Sequence, residues 1–177
     1  MRLFILLCSD LGIRSGTAVS IAPQHYDQAE NTIRFTTKKA ARVALPVTDQ
    51  LKAIFDTCDL TNPLPFLTQV RFKTRARSAR QLENSEISAT RMRKEFKALK
   101  DSLGIERKFI PHDLRRSSAV KLYKLTHDLR AVQAFLGHSS LQSTIWYLDH
   151  DLEEVELANL EAIKKPFIAW RKETRAA

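Results

Sequence analysis

The segment from Pro111 to Tyr147, PHDLRRSSAVKLYKLTHDLRAVQAFLGHSSLQSTIWY, constrains this chain more than any other. Leu114, Ala119, Val120, Leu122 and Tyr123 recur at helical spacing and predict a helix from Asp113 to about Leu125. Leu129, Val132, Phe135 and Leu136 predict a second, stopped by Gly137. Ser139 or Ser140 then caps a third, which carries Tyr147. This compact helical unit holds an informative set of side chains. His112 and Arg115, three residues apart, share one face of the first helical turn. His138 follows the glycine, and Tyr147 lies nine residues beyond it. Arginine offers planar paired donors to phosphate oxygens, imidazole moves protons near neutral pH, and tyrosine can serve as a covalent nucleophile. Together they point to chemistry on a phosphate.

The ordered set resembles the catalytic core of the tyrosine recombinases, the phage integrase family. That family carries an H-x-x-R box (here His112 and Arg115), an L-G-H-x-S box (here with His138) and a tyrosine at the spacing of Tyr147. A lone H-x-x-R is weak, whereas the full set at matching spacing is specific. Upstream, LGIRSGTAVSI resembles the turn that places the family's first catalytic arginine at a helix start, which assigns Arg14. Thr17 stands where the family usually has a glutamate. The family also places a catalytic lysine in a hairpin, eight residues before the proline ending its second strand. Counting back from Pro46 gives Lys38, with Lys39 as its rival. The resemblance spans about Leu11 to Leu152.

The rest of the chain fits an α+β class, mostly helical with a small antiparallel β-hairpin or sheet. The resemblance makes this a tyrosine-recombinase catalytic-domain fold. Met1 to Cys8 reads as a truncated core helix broken at Asp10-Leu11-Gly12. Its apolar run is too short for a signal peptide, and no small-residue cleavage site follows. Residues 32–46 alternate apolar and polar as two strands joined by Lys38-Lys39-Ala40-Ala41. Thr48 caps a helix through Cys58, with Leu51, Ile54 and Phe55 on its apolar side. Thr68 to Ser85 is polar, basic and aperiodic, and is expected as a mobile loop. Ser88 caps a helix to Leu103 with Met92, Phe96, Leu99 and Leu103 as its core stripe, stopped by Gly104.

A formal charge of +9 and a pI near 9.8 fit a polyanionic partner. The charge is clustered: Arg71, Lys73, Arg75, Arg77 and Arg80 fall in one run, and Arg91, Arg93, Lys94, Lys97 and Lys100 follow on a helix. Acidic residues gather at Asp149 to Glu161. The chain's 177 residues are expected to form one domain, lacking the family's first catalytic-domain helix and its upstream core-binding domain. Two cysteines, Cys8 and Cys58, make neither a disulfide framework nor a metal spacing, which suits a reduced cytoplasmic setting. The histidines show no metal-binding pattern, four glycines make no phosphate-cradling loop, and no stretch is long enough to span a membrane. Ser117 and Ser118 lack a glycine elbow and read as surface or packing residues.

The resemblance implies double-stranded DNA as partner, a homo-oligomer (a tetramer) on that DNA, and no cofactor. Tyr147 would form a 3′-phosphotyrosyl ester while Arg14 and Arg115 grip the scissile phosphate. Lys38 would protonate the leaving oxygen, His112 would assist Tyr147, and His138 would hydrogen-bond the phosphate. Arg71, Lys73, Arg75, Arg77, Arg80, Arg91, Arg93 and Arg116 are the expected DNA contacts. The alternative is a truncated remnant that binds DNA without turnover. The tail, 151–177, carries apolar residues on two sides of a helix and then Phe167, Ile168 and Trp170. It is expected either to dock on a neighbouring protomer or to fold back on its own.

Overall fold

The computed structural model describes residues 1–37, 42–73 and 87–148, and the chain divides into two compact units, Met1–Ser118 and Ala119–Ala177. In the first unit, α1 (Arg2–Ser9) buries Leu3, Phe4, Leu7 and Cys8 along one stripe. The chain then turns at Gly12, whose φ of +56° lies in the left-handed region that glycine occupies without strain. The short helix α2 (Ser15–Ala18) follows, with Arg14 in extended conformation at its N-cap. Helix α1 packs against α2 and against α3 (Asp49–Phe55).

Three strands, β1 (Tyr26–Asp27), β2 (Thr32–Thr36) and β3 (Arg42–Pro46), form an antiparallel sheet in that order. Ile33 pairs with Leu45 and Phe35 with Val43, and the buried positions alternate with exposed ones as the sequence pattern requires. The expected hairpin is present, and β1 is an addition to it. Two residues carry no period, so β1 is set by the turn instead: Asn31, at φ +48°, accepts from the Tyr26 hydroxyl and donates to the Val47 carbonyl.

Thr48 caps α3 by accepting from the Leu51 amide. The helix closes at Phe55, three residues before the expected end, through tight bonds from Thr57 to Ile54 and Cys58 to Phe55. A larger correction concerns the expected loop from Thr68. Its first part is helical, in α4 (Phe66–Lys73). Phe66 and Leu67 are buried, and Phe66 stacks on Phe55 at 4.3 Å beside Tyr26. Phe66, Leu67 and Thr68 anchor its buried first turn, and the rest mixes Val70 and Phe72 with polar residues at no clear helical period, a pattern that periodicity over a longer window misses. The rest of the expected loop lies outside the described residues.

Ser88 caps α5 (Ala89–Ser102) through the Arg91 amide, and Met92 and Phe96 are its buried residues. Leu103, expected in the core, is instead 64% exposed. The helix stops one residue before it, and Gly104 at φ +66° takes the chain away.

Helix α6 (Pro111–Thr126) starts two residues earlier than expected, because proline suits the first helical position. The Asp113 carboxylate accepts from the Ile110 amide. The second unit begins within α6, at Ala119, and continues with α7 (Leu129–Leu136) and α8 (Leu141–Leu148). Ala119, Tyr123, Leu129, Val132, Leu136, Ile145 and Leu148 form its core. Asp128 caps α7 through the Arg130 amide, and Gly137 at φ +59° ends it. Gly137→Ala forces a Cβ into the left-handed region, so it should cost about 1–2 kcal/mol. Thermal unfolding should show a midpoint several degrees lower; an unchanged midpoint would contradict this account of the turn.

Candidate active site

In the first unit the site is built around a clasp. Arg115 is 3% exposed, and its Nη1 donates to the carbonyl of Gly12, 103 residues away in sequence. A guanidinium removed from water needs such an acceptor. Gly12 supplies it from the turn between α1 and α2, and that turn presents Arg14 two residues later. One helical turn beyond Arg115, the Ser118 hydroxyl bonds to the carbonyls of Ser9 and Leu114, a packing role as expected. The first half of α6 is thereby tied to the end of α1 at Ser9 and to the turn that follows it at Gly12. Arg14 is exposed and has no hydrogen-bond or ion-pair partner among the described residues.

His112 stands one turn before Arg115, exposed at the residue level. Partial covering of its ring lowers its pKa, and the charges of Arg115, Arg14 and Arg116 add to the effect, with only Asp113 opposing. Three cations thus act on one imidazole and favour its neutral form. Burial pushes the Cys8 thiol up to about 12, partly offset by Arg115, so Cys8 packs and does not react. A cavity of about 500 Å³ opens beside His112, lined by Phe96 and Phe109 and by the cationic side chains of Arg93, Lys97 and Lys100.

The basic residues differ in their engagement. Arg71 of α4 and Arg91 of α5 both bind Glu95, at 2.7 and 3.1 Å. Partial burial alone would raise the Glu95 pKa, but the bonds from the two arginines outweigh it and lower it. Arg93 is exposed and donates to Thr90 at 3.0 Å. Arg116 is half-buried. Lys38, Lys39, Arg75, Arg77 and Arg80, the Lys73 side chain and the tail 151–177 lie outside the described residues.

In the second unit, Gly137 delivers His138 to a fixed place. The His138 amide donates to the Gln133 carbonyl and its own carbonyl accepts from Gln133 Nε2, both at 3.0 Å. The His138 ring meets the Tyr147 ring edge to face, with centroids 5.5 Å apart and planes at 88°. On the other side, Nδ1 lies 3.2 Å from Oγ1 of Thr144, which is fully buried. The sequence reading passed over Thr144. Its signal was present, since it precedes Tyr147 by three residues and so shares that face of α8.

The structure therefore brings Arg14, His112 and Arg115 to one locus in the first unit, and pairs His138 with Tyr147 in the second. Among the described residues no three His, Cys, Asp or Glu side chains group as metal ligands, and no helix is long and apolar enough to cross a membrane.

Comparison with known proteins shows the family. Residues 1–154 match the Phage integrase family. Tyrosine recombinase XerC of Shewanella amazonensis is 30% identical over 145 residues, which cover 81% of this chain and 47% of that protein. Tyrosine recombinase XerD of Lacticaseibacillus casei is 46% identical over 54 residues, 30% of this chain and 18% of that one. The chain thus spans at most about half the length of these curated relatives. Among solved structures, XerA recombinase superposes with a TM-score of 0.61 at 18% identity, over 93% of this chain and 62% of that one. XerH site-specific recombinase, in a post-cleavage complex with palindromic difH substrate, gives 0.64 at 24% identity, over 89% of this chain and 44% of that one. The fold is that of a tyrosine-recombinase catalytic domain, and the chain belongs to the phage integrase family of tyrosine recombinases.

Proposed function

We propose that this chain is the catalytic domain of a site-specific DNA recombinase or integrase that cleaves and rejoins strands through a 3′-phosphotyrosyl intermediate. The observation that carries the reading is the buried Arg115 fixed to the Gly12 carbonyl, which joins the H-x-x-R helix to the turn bearing Arg14. Arg115 and Arg14 hold the two nonbridging oxygens of the scissile phosphate and stabilise charge in the transition state. Tyr147 attacks phosphorus in line, the bond to the 5′ oxygen breaks, and the 3′ end stays esterified to the protein. A phenol ionises only near pH 10, so the attack needs a base. His112, held neutral, takes that proton, while His138 donates a hydrogen bond to the phosphate. Lys38, or its neighbour Lys39, protonates the departing 5′ oxygen. The ester conserves the bond energy, so resealing needs neither cofactor nor nucleotide.

Duplex DNA is the partner, in the cytoplasm, with Arg71, Lys73, Arg75, Arg77, Arg80, Arg91, Arg93 and Arg116 on its backbone and the protein assembled there as a homotetramer. In that assembly the tail, 151–177, docks on a neighbouring protomer. Truncation after Asp151 should then abolish self-association with thermal stability largely kept; a monomeric parent whose melting temperature collapses on truncation would place the tail in its own core. A nicked suicide duplex bearing the cognate site tests the reaction. A covalent adduct is expected, whereas tight binding without one is the behaviour of a DNA-binding module.

The His112 environment adds a pH prediction. Its folded pKa lies below the ordinary 6.5, so the neutral imidazole persists on the acid side of that value. Adduct formation should hold as pH falls through 6.5 and decline only further down, and His112→Gln should slow the reaction and remove that acid limb. Stability runs the other way: the unfolded chain takes up the proton first, so stability is lost as pH falls through the unfolded value. A rate falling with a midpoint above 6.5 would contradict this role.

A further inference from the structure

We propose that Thr144 is a positioning residue that holds the proton of neutral His138 on Nε2. The proposal rests on the reading of His138 as a hydrogen-bond donor to the scissile phosphate and says how that donor is made available. Imidazole has two neutral tautomers, and the partner at one nitrogen decides which is populated. Thr144 Oγ1 lies 3.2 Å from Nδ1, and the residue is fully buried, out of reach of water.

A buried hydroxyl must place its own proton on an acceptor. Helical serines and threonines commonly give it to the carbonyl four residues back, as Ser117, Ser118 and Thr126 do in α6 at 2.9, 3.0 and 2.9 Å. Thr144 departs from that habit. Among the described residues its hydroxyl has one hydrogen-bond partner, His138 Nδ1, and no backbone carbonyl. The hydroxyl therefore donates and Nδ1 accepts, which leaves the ring proton on Nε2, the nitrogen pointing away from Thr144.

Two further contacts make the arrangement stiff. Gln133 holds the His138 backbone at both its amide and its carbonyl. Tyr147, three residues after Thr144 on α8, packs against the same ring. The helix that carries the nucleophile thus also orients the imidazole beside it, so the two move as one piece.

Nitrogen-15 imidazole spectra of the full chain, recorded above the imidazole pKa, read the tautomer directly and without DNA. The parent and Thr144→Ser should show His138 protonated at Nε2. Thr144→Val, similar in shape but lacking the hydroxyl, should show a mixture of both forms. Its adduct formation on the suicide duplex should fall on the order of ten-fold, as for other lost imidazole-orienting partners, with serine restoring the rate. A parent ring protonated at Nδ1, or a valine variant with unchanged tautomer, would overturn the proposal. If the valine variant does not fold, the parent and serine spectra still decide. A parent that shows the Nε2 form yet never yields an adduct would count against the reaction and not against this pairing.

Discussion

Tyr147→Phe should erase the covalent protein–DNA adduct while leaving affinity for the duplex within about two-fold, because binding rests on many phosphate contacts and not on one hydroxyl. The substitution removes only Oη. The phenyl ring that packs against His138 remains, so α8 and its core residues Ile145 and Leu148 should be undisturbed. Affinity itself should fall steeply with added salt, since each neutralised phosphate releases counterions. Charge reversal at Arg75 and Arg77 should flatten that dependence. Gel-shift titrations at several salt concentrations, beside denaturing gels for the adduct, separate the two effects. An adduct that survives in the phenylalanine variant, or binding indifferent to salt, would refute the assignment.

The second large effect belongs to the two arginines, and it splits them. Arg14→Ala and Arg115→Ala should each lower adduct formation by about 10²–10³-fold, the usual loss when one donor to a transition-state oxyanion is removed. Stability should distinguish them. Arg115 is buried and bonded to Gly12, so its loss strands a buried carbonyl and should cost about 1–3 kcal/mol. Arg14 is exposed at the tip of the same turn, and its loss should stay within about 0.5 kcal/mol. Arg115→Lys keeps the charge but not the planar fork, and should recover part of the stability and little of the rate. Equal melting temperatures for the two alanine variants would contradict the clasp.

Much of this was legible in the sequence because the chemistry sits on short, regular helices. Gly137, the caps at Thr48 and Ser88, and the alternation in residues 32–46 are local signals, and each appears where its spacing placed it. The partnership of Arg115 with Gly12 is not local. The H-x-x-R spacing put Arg115 on a helix face, but no pattern within either segment reveals an acceptor 103 residues away. Leu103 misled because helical periodicity continues past Ser102 in the sequence while the backbone turns away at Gly104. Helix α4 was missed because its stability comes from Phe66 stacked on Phe55, a tertiary contact and not a propensity. The spacing of Thr144 from Tyr147 put it on the same helix face, but its contact with His138 is tertiary and only the fold reveals it.

Mapping the covalent linkage tests the central claim most directly. The full chain would be incubated with a nicked suicide duplex carrying its cognate site, in the presence of a metal chelator, then digested and sequenced by mass spectrometry. The account predicts a nucleotide joined through its 3′ phosphate to Tyr147, a free 5′ hydroxyl on the departing strand, and no loss of yield with the chelator. A linkage at any other residue, or cleavage that proceeds without a covalent intermediate and stops when metal is removed, would contradict it.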